Sequence, residues 1–163
     1  MFDRDLWELL SYIVTVIALP GAIFIFLYEQ RKERAIEEDE VYQLLSDNYQ
    51  EFLQIVLGNP DLRLFSTPKT ERLSEEQRER MTIIFSMLIS LFERAYLLLY
   101  DPPMSADRKR QWGSWEDYML EWCQREDFRE MLPDLLTGED SDFAAYIRTL
   151  AKDGPKPLSS VRA

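Results

Sequence analysis

The sequence contains no histidine. The chain therefore cannot build a Ser-His-Asp or Cys-His nucleophile system, a His-containing zinc site or the Glu-x-x-His pairs of di-iron bundles. Histidine is also the residue whose unperturbed pKa lies nearest neutrality, and many acid–base enzymes depend on it. Its absence lowers the expectation of an enzyme. Chemistry based on carboxylates, with or without a divalent metal, stays open.

Cysteine and glycine are scarce as well. Cys123 is the only cysteine, so no disulfide can form within the chain and nothing demands an oxidising compartment. A lone cysteine among aromatic helical residues is typical of a small core residue rather than a nucleophile. The five glycines are scattered and form neither a P-loop nor a dinucleotide fingerprint. We expect no cofactor and no metal site.

Positive charge is also in short supply. The chain has 19 Lys and Arg against 30 Asp and Glu, which gives a formal net charge of -11. An acidic soluble part is repelled by phosphate backbones and by anionic lipid surfaces, which argues against nucleic acid as a partner. Apolar residues make up 46% of the chain, which is enough for a folded core and argues against disorder.

Residues 9–28 form a run of twenty uncharged, mostly apolar residues. At about 1.5 Å per residue, a helix of this length spans roughly 30 Å, the thickness of a bilayer's hydrocarbon core. A cleaved signal peptide would begin with basic residues and have a shorter apolar region. A buried core helix would rarely lack a polar face over such a length. The run therefore predicts one retained transmembrane helix, with the lipid bilayer as its partner.

The charges that flank this span predict its orientation. The eight residues before it hold three acids and a single base, Arg4. The charged segment after it, residues 29–40, carries three basic side chains in its first half: Arg31, Lys32 and Arg34. By the positive-inside rule, residues 1–8 lie outside the inner membrane, and the charged segment is a stalk that leads to a cytoplasmic domain.

Small residues and a proline mark the middle of the span. Pro20 and Gly21 predict a kink, because proline removes one backbone hydrogen bond and glycine relaxes the packing. Ala18 and Ala22 form a small-xxx-small pair, which lets a second helix approach closely but also arises often by chance. Either simple bending or a helix-docking site within the membrane explains these four residues.

The pattern of apolar residues and helix caps in residues 41–151 predicts an all-α bundle of about four to five helices. A flexible tail is expected at residues 152–163. Apolar side chains recur at three- and four-residue spacing through residues 41–57, and Gly58 ends this first amphipathic helix. The S-E-E-Q sequence at 74–77 is a capping box that starts a second helix. No segment shows the period-two alternation that is typical of strands.

Shorter helices are expected after the prolines at residues 101–103, which stop the second helix. The basic residues 108–110 predict a solvated loop, or contact with lipid headgroups if that loop faces the membrane. A short helix capped by Ser114 comes next, and Asp140 or Ser141 caps the last one.

The helix that begins near residue 75 is the one challenge to a single span. Residues 81–92 carry no charge, but Glu93 and Arg94 follow them, and each would be expensive within lipid. Twelve uncharged residues are also too few to cross a bilayer. We therefore predict a central bundle helix that is apolar nearly all round, because other helices surround it.

Trp112, Trp115, Tyr118 and Trp122 form the most unusual local pattern. Aromatic rings at helical spacing are typical of a core face, and they also suit a cation cage or a groove that docks a partner helix. These four residues are therefore candidate interaction or core residues. Charged residues nearby, among them Arg125, are expected to form exposed salt bridges that contribute little.

Five stretches of the domain share a pattern of apolar and aromatic positions: LGNPDL (57–62), ERAYLLLY (93–100), W-x-x-Y-x-x-x-W (115–122), FREMLP (128–133) and DFAAYIRTL (142–150). This pattern resembles a group of small bacterial proteins with one N-terminal membrane helix and a cytoplasmic all-helical domain. The resemblance covers most of residues 36–150. It implies the fold and brings no catalytic residues with it.

Three functions fit these features. The first is a membrane-anchored interaction protein, such as an adaptor, regulator or accessory subunit of a larger membrane complex. The second is a self-assembling, membrane-perturbing or channel-like effector. The third is a carboxylate-based enzyme. The expected partners are therefore the bilayer together with a membrane protein or further copies of the chain, and not nucleic acid.

Overall fold

The computed structural model describes the backbone of residues 4–152, and side chains for residues 22–152 except 31, 33–35, 37 and 38. Five α-helices make up most of this stretch: α1 (Arg4–Leu57), α2 (Glu75–Leu99), α3 (Ala106–Cys123), α4 (Glu126–Leu135) and α5 (Ser141–Lys152). A short 3-10 turn at Pro60–Leu62 lies between α1 and α2. Residues 4–152 contain no strand, so the predicted all-α class is confirmed.

Contacts divide the chain into an N-terminal unit, Met1–Val41, and a helical unit, Tyr42–Ala163. The boundary falls within α1. The predicted span, residues 9–28, belongs to the N-terminal unit, and its side chains before residue 22 lie outside the described ones. Its second half carries six consecutive large apolar side chains, residues 23–28, and each is 46–73% exposed. The predicted tail beyond Lys152 also lies outside the described residues.

Local hydrogen bonds explain where α2 and α5 begin. The Ser74 hydroxyl accepts a hydrogen bond from the Gln77 backbone N–H at 3.1 Å, and the Gln77 side chain accepts one from the Ser74 backbone N–H at 3.0 Å. The Asp140 carboxylate accepts hydrogen bonds from the backbone N–H groups of Asp142 and Phe143 at 3.0 and 2.9 Å. These side chains satisfy N–H groups that lack a partner within the helix. The predicted capping box and the predicted Asp140 cap are therefore confirmed.

The start of α3 differs from the prediction. Ser105 caps the helix by accepting a hydrogen bond from the Arg108 backbone N–H at 3.2 Å, and Ser114 lies in the helix interior. Residues 108–110 therefore form the first turns of a helix and not a loop, because the sequence around them is rich in strong helix formers. Gly113 lowers helix propensity by only about 1 kcal/mol, which one position can tolerate.

α3 contacts the other four helices of the chain through the helical unit. It packs against α2, α4 and α5, and its Trp115 meets Tyr49 of α1 edge to face with ring centroids 5.8 Å apart. Its inner side chains Trp115, Met119 and Trp122 are at most 1% exposed. Burial of such large side chains, at about 25 cal/mol per Å² of apolar surface, is the main driving force for this fold.

α2 is covered on one side only. It packs against α3, α4 and α5, and its inner face buries Phe85 and Phe92 completely. Its outer face exposes four large apolar side chains: Ile83, Met87, Leu97 and Leu98. The expectation of a helix surrounded on all sides is therefore wrong, since an open groove separates α2 from α1. Within the described residues, α2 alone has the length and hydropathy to cross a membrane, a test that buried core helices also pass.

Candidate functional site

The groove lies between α2 and the last four turns of α1, all within the helical unit. The Arg80 guanidinium of α2 donates hydrogen bonds to Asn59 at 2.6 Å and to Asp61 at 2.7 Å, just beyond the end of α1. The end of α1 therefore lies beside the start of α2, and the two helices run antiparallel along the groove. Tyr42, where the chain enters the helical unit, is on the side of the carboxyl end of α2.

Apolar side chains form the floor of the groove, which has a volume of about 560 Å³. They come from both helices: Phe52, Ile55, Ile83, Met87 and Leu91. Small polar residues complete the lining: Asn48, Thr82, Ser86 and Ser90. The hydroxyls of Thr82 and Ser86 donate to backbone carbonyls of their own helix at 2.9 Å. Their hydrogen-bond donors are therefore already satisfied without a ligand. The groove is therefore suited to an apolar ligand surface.

Charged side chains occur only at the borders of the groove. Glu51 lies on the α1 side and Arg94 on the α2 side, while Glu75 and Glu79 are exposed beside Ile83 at the start of α2. Among the described residues, no three metal-ligating side chains come together. The arrangement can bind an amphipathic helix through its floor and contact the flanks of that helix through its borders.

The four candidate aromatic residues separate into two clusters. Trp115, Tyr118 and Trp122 surround Tyr49 of α1, whereas Trp112 packs among tyrosines of α2 and α5. Trp112, Trp115 and Trp122 are at most 4% exposed, and Tyr118 is half-buried. The structure therefore places the three tryptophans in the core, where their faces meet other rings of the chain.

Trp122 and Tyr49 are joined by a buried hydrogen bond. The Trp122 Nε1–H donates to the Tyr49 hydroxyl at 3.1 Å. Burial raises the pKa of Tyr49 to about 12, and this hydrogen bond partly offsets the effect. Two polar groups are thereby satisfied within an otherwise apolar core.

Arg125 forms a buried network that the sequence interpretation missed. Arg125 and Asp127 are 5% and 4% exposed, so the expectation of an exposed salt bridge is wrong. The guanidinium contacts Asp127 at 2.6 Å and donates to the carbonyls of Leu64 and Thr67. Asp127 in turn accepts the backbone N–H of Thr70 at 3.0 Å. Together they fix the loop that connects α1 to α2 onto the junction of α3 and α4.

Cys123 lies beside this junction. Its side chain is buried, and loss of hydration raises the pKa of the thiol to about 12. The Arg129 guanidinium donates to the Cys123 and Gln124 carbonyls at 2.6 and 2.7 Å, which caps the end of α3. Because the thiolate is the reactive form, Cys123 is a poor nucleophile in the folded unit.

Two carboxyl groups join α2 to the turn before α5. Glu93 accepts a hydrogen bond from the Asp140 backbone N–H, and Glu139 is hydrogen-bonded to Glu93 and Ser90. Loss of hydration, the hydrogen bond to Glu93 and the negative charge of Glu93 together raise the pKa of Glu139 to about 7, and the hydrogen bond to Ser90 partly offsets them. Glu139 therefore keeps its proton to a higher pH than an ordinary glutamate does.

We expect the Glu139 carboxyl to make the free energy of unfolding decrease as the pH rises from about 4.5 to about 7. In this range the unfolded chain has lost the proton and the folded chain still holds it, so ionisation stabilises only the unfolded state. Glu139→Gln should flatten this slope in urea unfolding measured across the range, whereas Glu71→Gln, at an exposed loop position, should leave it in place. An unchanged slope in Glu139→Gln would contradict the assignment.

The candidate residues of the N-terminal unit lie mostly outside the described side chains. This applies to Ala18, Pro20 and Gly21, and to the basic residues Arg31 and Arg34. Ala22 and Lys32 are described, and both are exposed. The helical backbone of α1 continues through all seven positions. Helix docking within the membrane and the inferred orientation stay predictions.

Comparison with known proteins found no matching family model, no matching curated protein and no matching solved structure. The resemblance to small membrane-anchored bacterial proteins stays a prediction.

Proposed function

We propose that this chain is a single-pass protein of the inner membrane whose helical unit binds an amphipathic helix of a partner protein in the groove between α1 and α2. The groove carries this proposal, since it leaves large apolar side chains of a bundle helix uncovered. Exposed Ile83 and Met87 stand one turn apart on its floor. A third helix laid between α1 and α2 would cover them.

The anchor is supported by the uncharged run at residues 9–28 and by exposure in its second half. Residues 23–28 are all large and apolar, and the fold leaves each of them open. Lipid is the environment in which a helix with such a surface is stable. With Arg31, Lys32 and Arg34 on the inner side, the helical unit would lie in the cytoplasm.

The charges beside the groove favour a partner helix with basic flanks. Three acids, Glu51, Glu75 and Glu79, are exposed along its borders against two bases, Arg78 beside Glu79 and Arg94 towards the carboxyl end of α2. A second copy of the chain would bring a net charge of -11 to the same acidic border. Like charges placed together weaken association, so a heterologous partner is favoured over self-assembly.

The test uses a photo-crosslinking residue at Met87 in the full chain within native membranes. We expect one adduct of defined mass from Met87 and none from Asp134, which is exposed on α4 away from the groove. Ile83→Asp should reduce the adduct at least tenfold, because a carboxylate on the groove floor would be desolvated without a partner. Leu57→Asp is the matched control, since Leu57 is 78% exposed and lies outside the groove.

Both substitutions replace exposed side chains, so neither should lower the unfolding midpoint appreciably. Identical adducts from Met87 and Asp134, or full crosslinking in Ile83→Asp, would rule out the groove as the binding site. An adduct with twice the mass of the chain would support self-assembly instead.

A further inference from the structure

The carboxyl end of α2 and the start of α3 form one end of the helical unit. Because α1 and α2 are antiparallel, this is also the end where the chain enters the unit at Tyr42. Leu97 and Leu98 lie there with 58% and 44% of their surface exposed. Two adjacent leucines are therefore exposed at the end where the chain enters the helical unit, and contact with another apolar surface would remove them from water.

Basic residues lie close to these leucines along the chain. Residues 94–110 contain four basic side chains and two acidic ones, which is a local excess of positive charge in a chain of net charge -11. The four are Arg94, Arg108, Lys109 and Arg110. Arg108 approaches Asp101 at 3.9 Å and Arg110 approaches Asp107 at 3.5 Å. Three of the four partners are largely exposed, and such pairs are weak enough to yield to an external anion.

Two tyrosines flank the leucines in the sequence and contact Trp112 of the core. Tyr96 and Tyr100 stack with ring centroids 4.8 Å apart, and both are half-buried. Tyrosine, leucine and long basic side chains together are the combination found where a protein meets the headgroup region of a bilayer. The basic side chains contact phosphates while the leucines enter the boundary with the acyl chains.

We propose that residues 94–110 bind an anionic bilayer surface and hold the entry end of the helical unit against the membrane. This inference rests on the anchor proposed above, since the span keeps the helical unit attached to the bilayer and makes a weak contact effective. It does not depend on the groove. The acidic remainder of the unit is repelled by the same surface, which favours this one orientation.

The test places a polarity-sensitive fluorophore on the full chain in nanodiscs. Ala106→Cys provides the labelling site, because Ala106 is exposed at the start of α3. Glu71→Cys, in the loop at the opposite end, is the control. Cys123 is buried and its thiol pKa is raised, so it should not react. The discs contain phosphatidylcholine alone or mixed with phosphatidylglycerol, with spin-labelled lipid as the quencher.

We expect a blue shift and lipid quenching at position 106 only in the anionic discs, and neither at position 71. Lys109→Glu with Arg110→Glu should reduce the quenching about fivefold or more, because each basic residue near an anionic surface contributes to binding. Arg72→Glu with Arg78→Glu makes the same change in charge at the opposite end and should leave the quenching unaltered.

Three results would overturn the inference. The first is a fluorophore at position 106 that stays in water in anionic discs. The second is lipid quenching at position 106 that is unchanged by the charge-reversal variant or by the charge of the lipid. The third is a shift that disappears when each disc holds a single chain, which would identify a protein–protein surface. A chain that does not enter the discs at all would overturn the anchor and this inference together, whereas loss of groove binding would leave it intact.

Discussion

Arg125→Ala should lower the free energy of unfolding of the helical unit by about 3–5 kcal/mol, because it leaves the Asp127 carboxylate buried without its partner. The substitution also removes the donor that satisfies the Leu64 and Thr67 carbonyls, both within the same buried network. The loop between α1 and α2 then loses its buried contacts with the Arg125 guanidinium and keeps the hydrogen bond from Thr70 to Asp127 and the exposed bridge from Lys69 to Glu130. Urea unfolding followed by tryptophan fluorescence measures the change.

The double variant Arg125→Met with Asp127→Leu separates the ion pair from the carbonyl contacts. Replacing both charges by apolar groups can be neutral when the pair is the only interaction. Here the loop carbonyls would stay unsatisfied, so the double variant should still be destabilised. Lys69→Ala is the surface control, since its bridge to Glu130 is 36% and 61% exposed and should contribute at most about 1 kcal/mol. Equal losses from Arg125→Ala and Lys69→Ala would show that the network is unimportant.

Ile17→Arg with Leu19→Arg should release the full chain from the membrane. Each arginine at the centre of a transmembrane helix costs about 2.5–3.5 kcal/mol on insertion scales, so the pair opposes insertion by on the order of 5–7 kcal/mol. The native chain should resist extraction by alkaline carbonate, and the double variant should appear in the soluble or aggregated fraction.

The matched control places two arginines on exposed apolar positions outside the span. Ile36→Arg and Leu44→Arg change the same residue classes, at side chains that are 48% and 58% exposed. This variant should stay in the membrane fraction. Carbonate extraction of the native chain, or retention of the variant with arginines at 17 and 19, would contradict an anchor at residues 9–28.

Features set by neighbouring residues could be predicted from the sequence. The capping box at Ser74, the glycine after α1 and the Asp140 cap each depend on groups within a few positions along the chain. The apolar spacing in α1 was also informative, since Leu45, Tyr49, Phe52 and Val56 are buried. Such signals are local because helix ends are satisfied locally.

Apolar spacing alone does not settle which residues are buried or where a helix starts. Leu44 and Leu57 follow the same helical period as the buried residues of α1, yet they are 58% and 78% exposed. Apolar periodicity defines a stripe but does not state how much of its width a neighbour covers. In α3, the polar stretch around the basic residues 108–110 predicts a loop, whereas the Ser105 cap and good helix formers start the helix earlier.

The Arg125 network could not be predicted because the loop groups that it binds are distant in sequence. The Leu64 and Thr70 groups that it binds are 61 and 55 residues away. No local pattern distinguishes such an arginine from a solvated one. The groove was missed for a related reason, because its two walls come from helices whose separation is set by the loop between them and by the aromatic rings of α3.

The hydrogen bond between Tyr49 and Trp122 has a consequence for how the chain is made. The two residues are 73 positions apart, so at about 5–20 residues per second Trp122 is synthesised roughly 4 to 15 seconds after Tyr49. Throughout that interval the apolar face of α1 has been synthesised, whereas the part of α3 that packs on it has not. The nascent chain therefore presents Tyr49 and Phe52 to the ribosome exit region, to chaperones or to the insertion machinery before α3 can bury them.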